Sequence, residues 1–126
     1  MKGTELMLGD WVMHDGKPKK VDVIWSAKQV SLYDPSKDWG SIYTDKHSTD
    51  EIEPIPLTTD ILNKNFPDLR YGIAWYWDDE KSTDSNEVYE IRTYDLDDIE
   101  LNTSICYVHE LQHILNLCGI EKEIVL

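Results

Sequence analysis

His109, Glu110 and His113 follow one another in the order H-E-x-x-H, inside the stretch YVHELQHILNLCG at residues 107–119. On a helix the two histidines are four residues apart and share a face. There they can hold one Zn²⁺ while Glu110 polarises a metal-bound water, as in zinc peptidases. A catalytic zinc takes three protein ligands and keeps one position open, so a third ligand is required. The extended form H-E-x-x-H-x-x-G-x-x-H asks for Gly at 116 and His at 119, where this chain has Asn116 and Gly119. Glu121 and Glu123 lie beyond a helix stop at Gly119, with little chain left for a second helix. The remaining candidates are His14 and His47, in the N-terminal half.

The helical wheel offers a plainer reading. Tyr107, Val108, Leu111, Ile114, Leu115 and Cys118 form an apolar stripe, and His109, Gln112, His113 and Asn116 fall opposite it. This predicts an amphipathic helix packed on a core, with both histidines on a solvated face. No catalytic residue and no metal are then expected. The alternative is a zinc site with His109 and His113 as ligands and Glu110 as general base. If the helix runs from Cys106 to Cys118, twelve residues at about 1.5 Å each separate the two thiols by roughly 18 Å, too far for a disulfide. Both read as buried thiols.

Other chemistry has little to start from. Asp78-Asp79-Glu80 and the group Asp95, Asp97, Asp98 and Glu100 lack the glycine and the twelfth-position glutamate of a helix-loop-helix calcium loop. There is no glycine-rich phosphate loop and no G-x-S-x-G. The aromatic residues are the stronger candidates. Tyr71, Trp75 and Trp77 share one strand face, which is either core or a platform for a sugar ring or an apolar peptide. Trp11, Trp25, Trp39, Tyr33 and Tyr43 raise the same question earlier in the chain.

A length of 126 residues suits one core or two small sub-units, and 40% hydrophobic content with five Trp and seven Tyr is too rich for disorder. The formal net charge of −13 repels phosphate backbones and anionic lipid, so direct nucleic-acid or membrane binding is not expected. An acidic chain that mimics nucleic acid and inhibits a basic protein is the one exception. With no signal-peptide core and no membrane-length apolar run, a cytoplasmic location is expected.

Short apolar runs separated by turn residues fill residues 5–56. Asp15-Gly16 marks a hairpin, Val21, Val23 and Trp25 share a face, Val30 and Leu32 alternate with polar neighbours, and further strands read from residues 39–43 and 52–55. The expectation is an SH3-like small antiparallel β-barrel over residues 1–56. Pro54-Ile55-Pro56 closes it. Residues 57–126 then read as helix, β-hairpin and C-terminal amphipathic helix, giving an α+β chain packed as one unit. The first helix has Thr58 as N-cap, Asp60 in its first turn and a Leu57–Leu62 staple. Residues 71–77 and 87–94 are strands flanking a polar tip at 78–86, and a third strand passes through Ile99 and Leu101. The C-terminal helix shows no clean N-cap but has Gly119 as its C′ residue; residues 121–126 read as an edge strand or a loose tail.

Three blocks, ELMLGDWV at 5–12, IEPIPLTTDILNKNF at 52–66 and YVHELQHILNLCGI at 107–120, resemble an uncharacterised protein family of Bacteroides-type bacteria and their prophages and other mobile elements. That resemblance implies no established activity or ligand. It does imply, at the last block, relatives of the form YVHQLQNLY, with Gln in place of Glu110 and Asn in place of His113, which do not support zinc-peptidase chemistry. The function expected is a non-enzymatic accessory or interaction module, prophage or mobile-element encoded, with a protein or peptide partner. The competing expectations are the zinc-dependent hydrolase and the acidic nucleic-acid mimic.

Overall fold

The computed structural model describes residues 1, 5–34, 46–94 and 100–126. The chain is α+β and divides into two units, Met1–Ile55 and Pro56–Leu126.

The first unit is a five-stranded antiparallel sheet. Its strands are β1 (Trp11–His14), β2 (Lys17–Ser26), β3 (Gln29–Tyr33), β4 (His47–Ser48) and β5 (Glu53–Pro54), in the order β4-β3-β2-β1-β5. Asp15 and Gly16 join β1 to β2 with φ of 54° and 70°, the left-handed pair that a two-residue hairpin turn requires and that Asp-Gly tolerates. In the β2–β3 ladder the register slips twice, between Val21 and Val23 and between Ile24 and Ser26. Each slip inserts an extra residue into β2, which bends and twists the strand. Residues beyond a bulge exchange faces. Val21 is therefore buried while Val23 is only half-buried and Trp25 is exposed, which corrects the shared face expected of the three; Ile24 packs against the core instead. That core is Leu6, Val12, Val21, Val30, Leu32 and Ile52.

No ladder joins β4 to β5 among the described residues, so the sheet is open and not the closed barrel expected. Both edge strands are two residues long, and the chain passes from one to the other through a 3-10 turn at Thr49–Glu51, leaving too little extended backbone for a ladder. The strand expected at residues 39–43 lies outside the described residues.

The second unit contains α1 (Thr59–Asn65), a three-stranded antiparallel sheet of β6 (Ile73–Trp77), β7 (Tyr89–Thr93) and β8 (Asn102–Ile105), and α2 (Val108–Leu117). Thr58 caps α1 by accepting from the Ile61 N–H at 3.2 Å, and the staple residues Leu57 and Leu62 are both fully buried. The sheet register places Ile73, Trp75 and Trp77 on one face with Tyr89, Ile91 and Ile105. Of these, Ile73, Tyr89, Ile91 and Ile105 are buried, so this face is the core side. α1 lies against it: Thr59 meets the Tyr89 hydroxyl at 2.8 Å, and the Trp75 indole N–H donates to the Phe66 carbonyl at 3.0 Å. β8 begins one residue after Leu101, the last residue expected in it, because pairing with β7 fixes its register; Ile99 lies outside the described residues.

The segment after α2 is neither strand nor loose tail. Asn65, itself buried, accepts from the Val125 N–H at 2.8 Å and donates to the Val125 carbonyl at 2.7 Å, and Ile124 is buried beside it. An asparagine amide presents a donor and an acceptor side by side, so it holds one backbone residue as a strand partner does. Among the described residues no helix is long and apolar enough to cross a membrane.

Candidate functional site

Glu110 is committed to the backbone of its own helix. Its Oε1 accepts from the N–H groups of Cys106 and Tyr107, each at 3.1 Å, and lies 3.6 Å from the Cys106 thiol. Tyr107 is the N-cap and Glu110 the third helical residue, so the carboxylate supplies the returning half of a capping box. Sequence reasoning missed this cap because it searched position 107 for a short polar side chain and found tyrosine; the glutamate three residues on was the signal. The other end closes with Gly119 at φ 69°, where the Ile120 N–H reaches the Leu115 carbonyl at 2.8 Å and the Gly119 N–H reaches that of Asn116 at 3.1 Å.

The histidines do not share an exposed face. His109 is buried, 7% exposed, with its Nδ1 shut off from solvent, whereas His113 is half-buried. This corrects the expectation of two solvated imidazoles: the buried stripe of α2 is wide enough to take in His109 beside Val108. The His109 ring stacks on Tyr107 at 5.9 Å and meets His113 edge-on at 5.5 Å. Among the described residues no third His, Cys, Asp or Glu joins these two, and the general base of the zinc scheme holds a helix end instead. His14 and His47, the sequence candidates for a third ligand, lie in the other unit and face each other, ring centroids 4.3 Å apart.

Cys106 and Cys118 are free thiols. Burial pushes both above the ordinary thiol range, and the neighbouring Glu110 carboxylate pushes Cys106 further. A thiol kept protonated is a poor nucleophile.

The aromatic candidates separate by environment. Trp11 is buried, with the Lys20 ammonium 5.0 Å from its ring centroid. Tyr71 lies in the turn before β6 and not on its face, because Gly72 at φ 74° breaks the extended chain; it is half-buried, edge-on to Phe66 at 5.7 Å and with Lys122 on its ring. Trp75 is half-buried and tied to Phe66. Trp39 lies outside the described residues, as does Tyr43. Trp77 is different: it is 45% exposed, with one edge against the buried Tyr89 ring at 5.5 Å.

At the end of β6 a recess of about 590 Å³ is bordered by Asp78, Asp79, Glu80, Lys81 and Glu90 and floored by Asn102, Thr103 and Ser104 of β8; Glu90 and Ser104 pair with Tyr76 on the sheet face opposite the Trp77 ring. Four carboxylates thus face one lysine. The polar groups are fixed by a chain of contacts in which the Lys81 ammonium donates to Ser104 at 3.2 Å, the Ser104 hydroxyl to Asp78 at 3.3 Å, and the Lys81 N–H to Asp78 at 3.1 Å. Glu90 is held by Arg92 at 2.8 Å. Tyr89 anchors the base of the hairpin: its hydroxyl donates to Glu87 at 2.8 Å and takes a hydrogen bond from Thr59, while burial raises its pKa. The sequence shows this stretch only as a polar tip without a calcium-loop pattern, because nothing in the spacing of DDEK shows that β8 will lie alongside it. Comparison with known proteins finds no match for this chain among family models, curated proteins or solved structures.

Proposed function

We propose that the chain is a non-enzymatic interaction module that binds a basic segment of a partner protein in the recess at the end of β6. The observation that carries this reading is a recess lined by four carboxylates and mounted on a hydrogen-bonded sheet. An arginine or lysine side chain entering it makes charge-assisted hydrogen bonds to the carboxylates. The net charge of −13 draws such a partner in at long range and turns anionic ones away. The coiled five-stranded sheet of the first unit supports an open relative of the SH3-like small barrels, and the resemblance to a prophage and mobile-element family supports an accessory role in such elements. Both belong to this reading.

A direct test is fluorescence anisotropy with labelled arginine-rich and glutamate-rich decapeptides. The arginine peptide is expected to bind, with affinity falling as salt rises. Glu90→Ala should weaken it roughly tenfold, the order of one charge-assisted hydrogen bond, and Asp79→Lys with Glu80→Lys should abolish it. Equal binding of both peptides, or no effect of the Asp79→Lys, Glu80→Lys change, defeats the proposal.

A further inference from the structure

His14 meets two residues remote from it in sequence, His47 and Glu51, within the first unit. His14 ends β1, His47 begins β4, and Glu51 ends the 3-10 turn that follows. On β2 and β3, His14 is registered at Lys17, whereas His47 is registered at Val30 and through it at Ile24. On a flat sheet seven residues at about 3.3 Å would separate these levels by roughly 23 Å. The imidazole centroids are 4.3 Å apart. The two bulges in β2 supply the coiling that brings the strand's ends together.

We propose that His14, His47 and Glu51 form a binding site for one zinc ion. One potential ligand atom from each residue lies within 4.8 Å of the other two, and the His14 Nε2 is already 3.7 Å from the Glu51 Oε2. Tetrahedral zinc with bonds of about 2.0–2.1 Å sets its ligands about 3.3 Å apart, so each donor needs to move inward by no more than about 1 Å. Side-chain rotation supplies this. The His14 side chain is 10% exposed and forms the fixed inner ligand, while the Glu51 side chain is 60% exposed and free to swing. The two imidazoles select a borderline metal over calcium or magnesium, which take oxygen ligands. Three protein ligands leave the fourth position to water.

Lys19 regulates entry. Its ammonium lies 2.9 Å from the His14 Nδ1 and, having only protons to offer, must donate to it. A neutral His14 ring then carries its proton on Nε2, the atom the metal needs. Zinc binding moves that proton to Nδ1 and turns the lysine away, with no net gain or loss of protons. A ligating imidazole ordinarily donates its other N–H to an acceptor, so Lys19 opposes the metal-bound tautomer as well as the metal's charge.

The test is calorimetric titration of the tag-free, chelator-treated chain with zinc chloride, with calcium chloride as control. His14 is buried and its replacement risks the fold, so the variants are His47→Ala, Glu51→Ala and Lys19→Ala, each checked by circular dichroism. One zinc per chain is expected, with no calcium binding. His47→Ala and Glu51→Ala should each weaken zinc at least about tenfold. Lys19→Ala should tighten it roughly fivefold, by removing the donor that opposes the metal-bound tautomer and a positive charge beside the site. His113→Ala should bind as the parent does. Absence of saturable binding, unchanged affinity in the His47 or Glu51 variant, or loss of zinc on changing His113 would overturn the assignment.

Discussion

Replacing Glu110 with alanine separates a helix cap from a general base. The change leaves the Cys106 and Tyr107 N–H groups, now bonded at 3.1 Å each, without their acceptor. It also removes a negative charge from the first turn of α2. Loss of a cap costs about 1 kcal/mol, and the charge at the positive end of the helix adds about 0.3–1 kcal/mol. Water reaches this half-buried site and replaces part of the loss, so the sum stands at about 1–1.5 kcal/mol. For a chain of this size that lowers Tm by roughly 5 °C. Glu110→Gln keeps an acceptor oxygen and loses only the charge, so its cost should be about half. The assay is urea and thermal unfolding followed by circular dichroism. A second readout lies in Cys106, whose thiol Glu110 helps to push up: in the alanine variant the pH midpoint of iodoacetamide labelling should move down. Unchanged Tm in both variants, with a hydrolytic activity lost in both, would refute the capping argument and restore the catalytic one.

The remaining predictions rest on the second unit. Asn65→Ala removes three hydrogen bonds, to Ile61 and to both polar groups of Val125. Leaving the Val125 backbone groups unpaired should cost about 2–3 kcal/mol, with the Val125 amide losing most of its hydrogen-exchange protection; a protected amide in the variant contradicts this. Because burial raises the Cys106 and Cys118 thiols above their unfolded values, the stability they contribute is complete below the unfolded thiol pKa and is lost as pH rises through the folded values. The urea midpoint should therefore fall above pH of about 8.5, and fall less in a Cys106→Ala, Cys118→Ala chain. Identical pH slopes for the two would show that other groups govern the decline.

Features legible in the sequence were those whose cause is local. The Asp15-Gly16 hairpin, the Thr58 cap with its Leu57–Leu62 staple, the Gly119 helix stop and the alternation along β6 each depend on contacts within about six residues, and each formed where the pattern placed it. Features decided by distant partners were not legible. The bulges that expose Trp25 exist because β2 must satisfy β1 at one end and β3 at the other. The burial of His109 depends on how wide a strip of α2 its own unit covers, which a helical wheel cannot set. H-E-x-x-H misleads for a related reason: a glutamate at the third helical position and histidines four apart serve a helix end as well as a metal, and only the placement of the Glu110 oxygens separates the two uses. The converse holds for His14, His47 and Glu51, which carry no spacing signature yet are assembled by the coiling of one long strand. In a chain of this kind metal-ligating residues are better sought where a bulged strand brings its ends together than where a motif occurs within one helix.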